Sequence, residues 1–160
     1  MIQFGRMKHL YLFTLEIDPL AVGKVYDDLP SHLTLMSRFL SGMSYQELAP
    51  VVRAIFEQAS PIELTFGETK ELGPKKVVAH MIHSPAEVTL HNQLYQCLEF
   101  LGVEFQYPQF IGPGHKAHVS KREGDNFKKG QTRVSSTAYL IEVIEGRRIV
   151  RSRFNLDTAQ

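Results

Sequence analysis

Tryptophan is absent and cysteine occurs once, at Cys97. A lone thiol cannot build an internal disulfide framework, which excludes a stapled secreted scaffold and fits a reducing compartment. No apolar run approaches the roughly 20 residues that cross a bilayer as a helix. Residues 1–18 place basic residues before an apolar stretch. That stretch is short, and Glu16 and Asp18 stand where a signal peptide needs small residues. Charge of one sign is also missing: the net is +1, so no global field draws the chain to nucleic acid or to a membrane. Binding of a polyanion therefore requires a local patch. The expectation is a cytoplasmic protein that makes no membrane contact, acting as a monomer.

What is present is ordinary globular material. An apolar fraction of 43% and a charged fraction of 22% over 160 residues suffice for a real core in one domain. Tyr11, Phe13, Leu15 and Ile17 alternate with Leu10, Leu12, Thr14 and Glu16, the two-residue period of a strand. Asp18-Pro19 ends it, and residues 20–29 read as a short helix. Residues 32–39 alternate again, with Leu33, Leu35 and Phe39 on one face and His32, Thr34, Met36 and Arg38 on the other. Ser44 and Glu47 form a capping box for a helix to about Ala59, although Pro50 removes one of its hydrogen bonds.

Further along, Ile62, Leu64 and Phe66 mark a strand, and residues 77–83 a second. Ser84, Pro85 and Glu87 open a helix whose stripe is Leu90, Leu94, Leu98 and Leu101, stopped by Gly102. Residues 116–121 read as a strand carrying His118 and Ser120 on one face. Residues 121–133 are polar and basic, a mobile loop in this reading, and residues 134–144 and 147–155 pair as a hairpin about Glu145-Gly146. Residues 10–39 and 77–121 thus repeat a strand–helix–strand unit, each with His and a hydroxyl two residues apart near the start of its second strand.

Those pairs carry the chemistry. On a strand, positions i and i+2 share a face, about 7 Å apart. Two such strands side by side gather two imidazoles and two hydroxyls around a volume suited to a tetrahedral phosphoryl group. Histidine titrates near neutrality, so one ring takes a proton while the other gives one. The hydroxyls donate to the non-bridging oxygens. Neither a metal nor a cofactor is called for. His80 with His83, and His115 with His118, have a spacing that puts the two rings on opposite faces of a strand, which argues against chelation.

HLTL at 32–35 and HVSK at 118–121, 86 positions apart, resemble the paired His-h-[ST]-h motifs of the two-histidine phosphoesterase superfamily. The nearest branches are the 2′-5′ RNA ligase-like and cyclic phosphodiesterase ones. The resemblance implies a bilobal α+β fold of two antiparallel β-sheets, helices on the outer faces and a central cleft, occupying residues 1–160 as one domain. It implies metal-independent hydrolysis of a 2′,3′-cyclic or 2′-5′ phosphodiester in a nucleotide or RNA end. By matching position, His32 and His118 are the acid–base pair, and Thr34 and Ser120 bind the phosphate. Lys121 departs from the motif, which has an apolar residue there. The main alternative is a catalytically silent nucleotide- or RNA-binding module of the same fold. A metal-dependent hydrolase using several of the seven histidines and a partner-binding scaffold are weaker rivals.

Overall fold

A computed structural model describes residues 7–156; Arg6, part of the basic stretch at the start of the chain, lies outside them. The expected first strand is β1 (His9–Glu16), and the 32–39 strand is β3 (His32–Ser41). Between them the expected helix at 20–29 does not form. The segment makes turns and a two-residue strand, β2 (Val25–Tyr26), which pairs with Arg148 and Ile149. Leu20 and Leu29 instead plug a cluster with Leu12, Tyr139, Ile141 and Val150. Gly23 at φ 87° breaks any helical run between them.

Helix α1 (Tyr45–Gln58) carries the expected capping box and tolerates Pro50 in its interior. It packs on the strands β9 (Thr137–Ile144) and β10 (Arg147–Asn155). Strands β4 (Ile62–Leu72) and β5 (Val77–His83) precede α2 (Pro85–Phe100), whose Ser84 cap accepts from the Glu87 amide. Glu87 does not complete a capping box; its carboxylate is used elsewhere. After the short strand β6 (Glu104–Phe105) and two 3-10 turns come β7 (His118–Ser120) and β8 (Thr132–Ser135). The expected strand 134–144 is broken at Ser136, because β8 pairs with β4 while β9 pairs with β1.

All pairings are antiparallel, in the order β2-β10-β9-β1-β3-β7-β5-β4-β8, with β6 also on β3. The ladder is pinched in the middle. A single pair, Leu33 with Val119, joins β3 to β7, leaving two antiparallel lobes on either side of a narrow seam. The helix-bearing face is filled by one apolar cluster that draws on both lobes: Phe13, Leu33, Phe56, Phe66, Leu94, Val119 and Phe154 all belong to it. The α+β class with helices on the outer side is thus the one expected, while the two expected sheets are joined through the β3–β7 pair into one ten-stranded sheet.

The alternation in β3 breaks where the register shifts against β1, between the Tyr11–Phe39 and Phe13–Met36 pairs and again before the Thr14–Thr34 pair. Extra residues in a strand turn one side chain to the other face. Met36, expected beside His32 and Thr34, is therefore fully buried in the core with Leu33, Leu35 and Phe39.

Candidate active site

Leu33 and Val119 face each other and are both fully buried on the helix side. Their neighbours on each strand must point to the other face. The antiparallel register then sets His32 level with Ser120 and Thr34 level with His118. The two histidines lie on a diagonal, about 7–8 Å apart at Cα. All four side chains are half-buried. On this face the first lobe is covered by residues 18–31 over its second apolar cluster, while the second lobe holds an open pocket. The four groups lie on this face at the strand pair where the two lobes meet.

The two rings are oriented by the same local device. Nδ1 of His32 lies 2.8 Å from the Pro30 carbonyl, and Nδ1 of His118 lies 2.7 Å from the Lys116 carbonyl. A carbonyl can only accept, so each Nδ1 carries its proton and donates. The neutral form of each ring then has its lone pair on Nε2, and the charged form has a second N–H there. In both rings Nε2 is the atom left for chemistry.

Arg122, in sequence simply one basic residue of the 121–133 segment, crosses between the lobes to this site. Its Nη1 donates to Asp28 Oδ2 at 2.9 Å and its Nη2 donates to the Leu29 carbonyl. Its Nε is buried without a partner. Arg122 holds the Asp28 carboxyl below its ordinary range. His32 is held below the ordinary histidine value, first by burial and then by the positive charge of Arg122 and the nearby His118 ring, against the opposing hydrogen bond to Pro30. The first ring of the pair is therefore biased towards its neutral form.

The overall fold is found among solved structures. A crystal structure of a phosphoesterase superposes with a TM-score of 0.62 at 15% identity, covering 95% of this chain and 100% of its own. E. coli LigT bound to NADP+ gives 0.60 at 16% identity, with 96% and 99% covered. E. coli LigT bound to 3′-AMP gives 0.59 at 14% identity, with 95% and 100% covered. The chain has the LigT-like phosphoesterase fold. No family model and no curated protein sequence matches it.

Within this LigT-like frame, the core side of the seam carries a buried polar network that periodicity did not reveal. From α2, His91 donates through Nδ1 to the Leu35 carbonyl of β3 at 2.7 Å, and its Nε2 accepts from the Gly112 amide at 3.0 Å. Acceptance at Nε2 requires the neutral ring, and burial pushes its pKa down to about 4. One turn earlier, Glu87 Oε2 lies 2.7 Å from His115 Nε2, just before β7. The His91 and His115 rings stack with centroids 3.8 Å apart. Helix α2 thereby grips both motif strands from below.

The remaining histidine pairs separate as the strand period requires. His80 turns inward to Asp125 Oδ2 at 3.0 Å, while His83 lines the open pocket on the opposite face. Among the described residues no group of three or more histidine, cysteine or acidic side chains converges, and no helix is long and apolar enough to span a membrane. The 121–133 segment, expected to be a mobile loop, is tied down instead. Asp125 accepts from both the Arg122 amide and His80, and Phe127 stacks on Phe66 with centroids 4.6 Å apart. Burial works against the Asp125 carboxylate, but these donors hold its pKa below the ordinary value.

Proposed function

We propose that the chain is a metal-independent phosphodiesterase. It opens a 2′,3′-cyclic or 2′-linked phosphodiester at a nucleotide or RNA end, using His32 and His118 as its acid–base pair and Thr34 and Ser120 as phosphate donors. The observation that carries this reading is the matched presentation of two Nε2 atoms, with a hydroxyl level with each, across one pair of strands. Nucleotides bound by the LigT structures, NADP+ and 3′-AMP, support a nucleotide as the substrate.

In the proposed reaction, water attacks phosphorus and loses its proton to the Nε2 lone pair of the neutral ring. A new P–O bond forms while the P–O bond to one ribose oxygen breaks. The other ring, charged, delivers its Nε2 proton to that departing oxygen. The rings exchange protonation states, and the product is a ribose phosphomonoester. Each placed proton transfer contributes about 10²- to 10⁴-fold. Hydroxyls of Thr34 and Ser120 donate to the non-bridging oxygens, where negative charge gathers.

Hydrolysis of the four 2′,3′-cyclic nucleotides by wild type, His32→Ala and His118→Ala tests this. Wild type should turn over at least one, and each variant should lose at least about 100-fold. Full activity in either variant would overturn the reading. Wild type that binds the nucleotides without cleaving them would assign the chain to the silent binding module instead.

A further inference from the structure

The catalytic face continues past His118 into the second lobe, and the register says what lies there. Met81 of β5 stands opposite His118, and Ala79 opposite Ser120; Lys70 of β4 stands opposite Ala79 in the same row. Between Phe66 and Thr69 the β4 register shifts, so Gly67 and Glu68 bulge out beside Met81. A pocket of about 570 Å³ opens at this point, floored by Gly67 and Met81 and flanked by Lys70, Lys116 and Lys129. It lies one to two strand spacings from His118, about 5–10 Å, within the reach of a single nucleotide.

Its charge is one-sided. Glu68 is the acid that lines it, and Glu68 is 3.5 Å from Lys129 in an exposed pair. Lys70 and Lys116 make no ion pair among the described residues. His83 adds a ring across the floor, in the space that the missing Gly67 side chain leaves. A Cβ at that position would fall 2.7 Å from His83 Nε2. Three lysines, one of them paired with Glu68, give this depression a positive lining in a chain whose net charge is only +1.

From this placement we infer that the pocket receives a second phosphoryl group of the substrate, making the preferred substrate a nucleotide or oligonucleotide end that carries a phosphate besides the one being cleaved. The inference rests on the proposed site for the first phosphate. Calorimetric titration with 3′-AMP, adenosine 3′,5′-bisphosphate and the dinucleotide ApAp separates the possibilities. The bisphosphate presents a free 5′-phosphate and the dinucleotide presents an internal diester at the same place.

Wild type should bind at least one of the latter two about tenfold or more tightly than 3′-AMP, the worth of one charged hydrogen bond. In the Lys70→Gln/Lys116→Gln/Lys129→Gln variant that ratio should fall towards one, and the salt dependence of binding should flatten. Equal affinity of wild type for all three ligands, or an unchanged ratio in the triple variant, would overturn the subsite. Loss of hydrolysis with the ratio intact would remove the proposed reaction and leave the subsite standing, so the two failures are distinct.

Discussion

His32 and His118 each donate from Nδ1 to the carbonyl two residues back, so the strand that carries the ring also sets its tautomer. The two rings differ in what surrounds them. His32 sits near the Arg122 guanidinium, which helps hold its pKa down. Under the proposed function the acid limb of kcat/KM reports the lower apparent value of the pair, and it should lie below the ordinary histidine range. Arg122→Gln removes a positive charge that disfavours imidazolium, and it frees Asp28, whose charge favours it. Both changes raise the His32 pKa. The acid limb measured for this variant should move to higher pH; a limb that stays put would show that Arg122 does not govern this ring. The motif histidines and hydroxyls were legible as residues because the period of two is a local property. Arg122 was not, because its reach to residues 28 and 29 depends on how a loop is tied down far along the chain.

At the level of elements, helix α2 is the piece whose role extends furthest. Its cap and stripe could be read from Ser84, Pro85 and the leucine spacing, because capping and amphipathicity are written locally. Glu87 read as a capping residue, yet it is fully buried and engages His115. Tertiary partners outbid the local role, and no sequence period announces such a bond. The helix expected at 20–29 failed for a related reason: its leucines serve a cluster on the sheet rather than a helical face.

The grip of α2 on both strands predicts a pH signature. His91 is neutral when folded, with a pKa near 4, against 6.5 ordinarily. The unfolded chain therefore binds the extra proton between those values, and stability should fall as pH drops from about 6.5 towards 4. His91→Gln should reduce that dependence in denaturant titrations. It should also cost about 1–3 kcal/mol at neutral pH through the buried partners left unpaired. An unchanged pH slope would show that His91 is not the titrating group.

Across the whole molecule, two lobes meet at one strand pair, and every chemical claim depends on that seam. The architecture was legible as paired strand units. The crossing of the chain at Ser136, which sends β8 to one lobe and β9 to the other, was hidden inside a continuous run of strand-forming residues. The seam itself was inferred from the matching motifs rather than from any local signal. The most direct test follows both imidazoles by ¹⁵N NMR during titration with 3′-AMP. The account predicts that the Nε2 resonances of His32 and His118 shift together along one binding curve, while each Nδ1 keeps its proton. Movement of only one ring, or of neither while the nucleotide binds, would contradict a single phosphate held between the two strands.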